Sequence, residues 1–140
     1  MTHTASQTPS LDQLLAHIAG DYVLQTDHQA QQKTTSTPPA LLHALSYTAA
    51  FLPLTRDPRA LATIASTHFL IDRYRLARYL NWAKNQAAPQ AFRPPFPANP
   101  TDTGYSPDRP DWLTVWLMII TDNFLHLLIN RLALKYFTRA

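Results

Sequence analysis

The sequence predicts an all-α chain, a four-helix bundle embedded in a membrane, with one long proline-rich loop between the third and fourth helices. Three observations support this. Four apolar segments carry helix start or stop signals. Seven of the twelve prolines fall between Asn85 and Pro110, where no helix can continue. Inside the apolar segments lie three His/Asp pairs at four-residue spacing, His17/Asp21, His68/Asp72 and Asp122/His126, and residues four apart share a helix face.

Residues 1–9 are rich in Thr, Ser and Gln and contain no lysine or arginine. They read as a disordered tail without the basic region of a secretory signal, and residues 10–140 read as a single helical domain. The first helix spans about 10–25, starting where Ser10-Leu-Asp-Gln13 has the form of a capping box. Gln13, His17, Asp21 and Gln25 make a polar stripe on it. Residues 26–37 are polar and read as a loop with room for one further turn.

Thr37-Pro38 reads as a cap followed by proline at the first helical position, and this second helix runs over 38–52 until Pro53 stops it. Asp57-Pro58 repeats the signal for a third helix over 58–85. It is apolar up to Asp72 and then turns basic and aromatic, as a helix does on leaving an apolar layer, so Asp72 is expected near the mouth of any site. The loop 86–110 follows. Asp111 starts the fourth helix, over 111–137, with Thr114, Met118, Asp122, His126 and Asn130 on one face. Arg131, Lys135 and Arg139 near its end complement the helix dipole.

At 1.5 Å per residue the two long helices reach roughly 35 to 40 Å and the two short ones about 22 to 24 Å. The long pair suits a bilayer, and the short pair needs tilt or thinning. No stretch of about 18 residues is free of ionisable groups once histidine is counted, but membrane helices do carry such groups when they face inward.

Composition narrows the chemistry. The 140 residues contain no cysteine and no glutamate, so disulfides and thiolate metal sites are excluded and all carboxylate chemistry falls to nine aspartates. The net charge of +3 is spread in small groups, which argues weakly for nucleic acid and as well for a membrane surface. No motif indicates an organic cofactor.

Random placement of these residues gives roughly 0.8 His/Asp pairs at this spacing, against the three present. A single pair is ordinarily a local hydrogen bond in which Asp orients an imidazole. Three pairs plus His43 in converging helices are a candidate divalent-metal site formed by His17, Asp21, His43, His68, Asp72, Asp122 and His126. Such nitrogen and oxygen donors suit Zn, Mn or non-haem Fe, with donors enough for two ions. A metal would also offset the cost of carboxylates in an apolar layer. With Asp72 or Asp122 as the catalytic base, such a site could activate water.

Four strings carry a resemblance: Ala16-His17-Ile18-Ala19-Gly20-Asp21-Tyr22-Val23-Leu24-Gln25-Thr26-Asp27, Leu41-Leu42-His43-Ala44-Leu45-Ser46-Tyr47-Thr48, Thr67-His68-Phe69-Leu70-Ile71-Asp72 and Asp122-Asn123-Phe124-Leu125-His126. In content and order they resemble a family of small bacterial and phage proteins catalogued as domain of unknown function 3307, over most of Leu11 to Tyr136. The resemblance implies a multi-helix protein of the bacterial inner membrane. Asn123 stands where the family more often has Gln, and the proline-rich loop is longer and more polar than expected. The pattern is also distantly similar to inner-membrane metal-dependent hydrolases, a likeness of analogy only.

The leading expectation is therefore a metal-dependent hydrolase acting on a lipid-linked or phosphoester substrate. The alternative is a non-enzymatic membrane protein whose His/Asp network is structural or relays protons, and which acts by binding a protein partner. A soluble four-helix protein with the same cluster is a third reading. The lipid membrane is the expected partner and nucleic acid is not.

Overall fold

The computed structural model describes residues 10–138. The expected tail, the capping role of the Ser10 side chain and Arg139 lie outside the described residues. The described residues form helices and no strand, with six α-helices where four were expected: α1 (Ser10–Ile18), α2 (Asp27–Gln32), α3 (Thr37–Ala49), α4 (Pro58–Tyr74), α5 (Ala77–Asn85) and α6 (Asp111–Phe137).

Each difference from the expected boundaries has a local cause. The first helix does not run straight to residue 25. After Ile18 it widens into a π-helical turn, Ala19–Val23, closed by Leu24 N–H donating to Ala19 O at 2.8 Å. Such single wide turns are frequent at functional sites. Gly20 permits this one, because a Cβ there would meet Tyr47 Cδ2 at 2.5 Å. The expected loop contains α2, whose start is a true capping box: the Thr26 hydroxyl accepts from Gln29 N–H, and the Gln29 side chain accepts from Thr26 N–H. The cap of α3 is Ser36 rather than Thr37, and the helix ends at Ala49 before a turn leads to Pro53.

Asp57 caps α4 as expected, accepting from Arg59 N–H at 2.8 Å. The Arg59 side chain bound to that carboxylate holds it down at about 2. The anticipated 58–85 helix is broken at Arg75, which takes the left-handed conformation with φ +50°. Two helices of 17 and 9 residues replace one long rod.

α4 lies between α3 and α6, α1 packs on α6, α5 packs on α6, and α2 folds back on α3. Gln13 ties α1 to α6 by donating to Leu127 O at 2.7 Å. The proline-rich segment is ordered by contacts with α5: Asn81 and Asn85 donate to Thr103 O and Gly104 O. Gly104, at φ +81°, lies so close to α5 that a Cβ would meet Trp82 N at 2.7 Å. Asn81 also accepts from Thr121 of α6.

Polar residues are buried almost as often as apolar ones, and large apolar side chains are widely exposed. The interior holds a modest apolar cluster, Tyr47, Phe51, Ile64, Ala133 and Leu134 among its members, beside buried His17, Asp21, His43, His68, Asp72, Asn81, His126 and Asn130. The outer faces carry Leu41, Leu42 and Leu45 on α3, and Trp112, Trp116, Ile120 and Phe124 on α6. Among the described residues, α6 is the one helix long and apolar enough to cross a membrane. At 27 residues it reaches about 40 Å.

Candidate metal centre

Four parts of the chain deliver the polar groups. The π turn brings Asp21, α3 brings His43, α4 brings His68 and Asp72, and α6 brings Asp122 and His126. The four-residue spacing on α4 and α6 turns both partners of each pair inward. For Asp21 the wide turn does this. All six are buried except Asp122, whose side chain is 25% exposed.

Asp21, His43, His68 and Asp72 converge on one point. His43 Nε2 lies 3.1 Å from Asp21 Oδ1, 3.2 Å from Asp72 Oδ2 and 2.9 Å from His68 Nε2; His68 Nε2 lies 3.4 Å from Asp21 Oδ1 and 3.2 Å from Asp72 Oδ2. A tetrahedron with edges of this size has its centre about 2 Å from each corner, the length of a Zn–N or Zn–O bond. As a hydrogen-bonded set the arrangement is poor, because carboxylate oxygens only accept and one of two facing imidazole nitrogens must present a lone pair. Asp72 Oδ2, surrounded by three nitrogens, receives no well-directed hydrogen bond. Four oxygen and nitrogen donors on one point fit a divalent cation.

Asp72, Asp122 and His126 form a second group that shares Asp72. His126 Nε2 is 3.2 Å from Asp72 Oδ1 and 3.3 Å from Asp122 Oδ2. Proton counting separates the two groups. His68 Nδ1 faces His126 Nδ1 at 3.2 Å, and one proton belongs between them. If neutral His68 ligates through Nε2, its Nδ1 carries hydrogen and donates to His126 Nδ1. His126 then carries its own hydrogen on Nε2 and donates it toward Asp72 and Asp122. That arrangement makes His126 the group that orients His68 and Asp72 rather than a ligand, the usual partner of a metal-bound imidazole.

His17 is beside the site and outside both groups. Its Nε2–H donates to Asn123 Oδ1 at 2.7 Å and its Nδ1 accepts from the Tyr47 hydroxyl at 2.8 Å, so both nitrogens are occupied. Asp72 also departs from expectation: it is buried at the junction of the two groups, and Asp122 is the carboxylate at the mouth.

Several participants were missed in the sequence. Tyr47 stacks on His68 with ring centroids 3.6 Å apart, and its hydroxyl accepts from Asn130 at 2.6 Å. Its position four residues after His43 was an available signal. Asn123 is held by Tyr22 as well as His17. Lys33 reaches in from the end of α2 and places Nζ 2.8 Å from Asp72 Oδ2. It is the one lysine or arginine before Arg56, yet nothing in its neighbours indicates that α2 folds back. Burial pulls its pKa down, but Asp72 and then Asp21 outweigh that and hold the ammonium above its ordinary value.

A cleft of about 230 Å³ opens onto the cluster. Asp21, Asp72 and Asp122 line its floor, Lys33 and Arg75 contribute cations, and Val115, Met118 and Ile119 of α6 contribute an apolar wall.

Comparison with known proteins gives one family. Residues 11–93 match the family described as Protein of unknown function (DUF3307). The matched region contains Asp21, His43, His68 and Asp72 and ends before α6, short of the extent expected from the sequence. No curated protein and no solved structure matches the chain.

Proposed function

This chain belongs to the DUF3307 family, and we propose that it is a membrane-embedded helical protein whose Asp21, His43, His68 and Asp72 bind one divalent metal ion, serving hydrolysis of a lipid-linked phosphoester. The convergence of four buried donor atoms at separations near 3 Å carries the metal reading. Ions with this donor preference include Zn, Mn and Fe. The exposed apolar faces of α3 and α6 support the membrane reading, because lipid tails solvate outer leucines and aromatics that water would not. The outer hydroxyls agree with it: Thr63 and Ser66 on α4 donate to the carbonyls of Arg59 and Ala62 within their own helix. The resemblance to inner-membrane proteins of bacteria points to the same setting.

A bound ion supplies Lewis acidity and lowers the pKa of a bound water. The chain's part is then to orient and to accept a proton. Asp122, partly exposed at the cleft and 3.3 Å from His126 Nε2, is placed to accept one from a water in the cleft. Tyr47, His17 and Asn130 wall off the inner side.

A second reading rests on the Lys33–Asp72 contact. An ammonium 2.8 Å from the central carboxylate neutralises it without a metal, leaving a structural or proton-relaying network in a protein that works by binding a protein partner. Metal analysis of the purified chain in detergent separates the two. One ion per chain, lost in His68→Ala and Asp72→Asn, is the expected result; a wild-type protein that carries no stoichiometric metal selects the second reading.

A further inference from the structure

We propose that the cleft above the metal centre binds the phosphate head of an amphiphile that enters sideways from the bilayer, with its acyl chain along α6. The proposal rests on the metal and membrane readings and adds the residues that hold the phosphate, the ligand's orientation and its path. Three features of the cleft support it.

The first is charge. Asp21, Asp72 and Asp122 outnumber the cleft's cations, Lys33 and Arg75, so the metal-free cleft is net negative. A divalent ion reverses the sign, and anion binding becomes metal-dependent. The second is donor chemistry. Arg75 spends one guanidinium nitrogen on Met118 Sδ at 3.0 Å, a weak acceptor that a phosphate oxygen replaces with gain. Lys33 carries a compact charge on a flexible stem and is released toward the cleft when an ion takes Asp72 Oδ2.

The third is the wall. Val115 and Ile119 line the cleft, are 46% and 37% exposed, and adjoin the exposed Trp116 and Ile120 along α6. The apolar wall is therefore continuous with the face that the membrane reading places in lipid. A free phosphate has no use for that wall, whereas an acyl chain lies along it without leaving an apolar medium.

The test compares two ligands on the purified full chain in non-ionic detergent, after metal analysis. The probes are dioctanoyl phosphatidic acid and inorganic phosphate, with and without chelator. The metal-loaded chain is expected to bind the phosphatidic acid at least about tenfold more tightly than phosphate, and the chelated chain to bind neither appreciably. Lys33→Met and Arg75→Gln are expected to weaken both ligands by about tenfold each with metal content kept, and Val115→Ser/Ile119→Ser to weaken the phosphatidic acid alone. Equal affinity for the two ligands, binding that survives chelation, or a metal-loaded chain that binds neither would overturn the proposal. A wild-type chain without stoichiometric metal overturns the metal reading itself and is seen before any ligand is added.

Discussion

The Lys33 ammonium lies 2.8 Å from Asp72 Oδ2, the same oxygen that lies 3.2 Å from both His43 Nε2 and His68 Nε2. One carboxylate oxygen thus serves a tethered cation and the four-donor metal set. A divalent ion held there would compete with Lys33 for it.

Lys33→Met is accordingly expected to raise metal affinity by about tenfold, read by competition with a chelator. In the metal-free state the same substitution leaves a buried carboxylate without its partner, a loss of about 3 to 5 kcal/mol, and added metal restores the melting temperature. A melting temperature in Lys33→Met that ignores both metal and chelator would count against the competition.

The raised pKa of Lys33 gives a pH signature. Its unfolded value is 10.5 and its folded value lies higher, so the stabilisation is fully present below 10.5 and is lost as pH rises through the folded value. The chelated wild-type chain should lose melting temperature more steeply above pH 10.5 than Lys33→Met does, as measured by circular dichroism in detergent.

The single proton between His68 Nδ1 and His126 Nδ1 separates a ligand from a residue that orients one. His126→Gln is expected to keep one ion per chain at an affinity about 10- to 100-fold lower, while His68→Ala loses the ion. Two ions in the wild type, falling to one in His126→Gln, would instead make His126 a ligand of a second ion.

Gly20 is where the π turn that carries Asp21 packs against Tyr47. Gly20→Ala puts a Cβ 2.5 Å from Tyr47 Cδ2 and 3.1 Å from Tyr47 Cα. The expected cost is about 1 to 3 kcal/mol of stability, together with weaker metal binding as Asp21 moves. Unchanged stability and affinity would show that the turn adjusts without moving the site.

Arg75 at φ +50° gives a comparison of two substitutions. Both Arg75→Gly and Arg75→Ala remove the guanidinium, but glycine also relieves the left-handed strain. Arg75→Gly should therefore be the more stable of the two by about 1 kcal/mol, measured by thermal unfolding. Equal stability would mean that the backbone there relaxes freely.

Much of this protein is legible along the chain. Asp57-Pro58 starts α4 where it was expected, α6 covers Asp111–Phe137, and Thr114, Met118, His126 and Asn130 are buried on the predicted face of α6. The pairs His68/Asp72 and Asp122/His126 turn inward together because the helix repeat fixes which side chains share a face, and that repeat is a local property.

What the helix repeat cannot supply is the meeting of segments. His43 reaches Asp21 across 22 residues and His68 across 25, and no spacing encodes either contact. The break at Arg75, the wide turn at Gly20 against Tyr47 and the return of Lys33 onto Asp72 were decided by tertiary packing. The same packing occupied both nitrogens of His17 and so removed it from a site its spacing had placed it in. By itself the sequence determined which polar groups sit within apolar helices, because local geometry and composition suffice for that. Which of those groups converge depends on how helices dock, an outcome of the whole interior that no single segment contains.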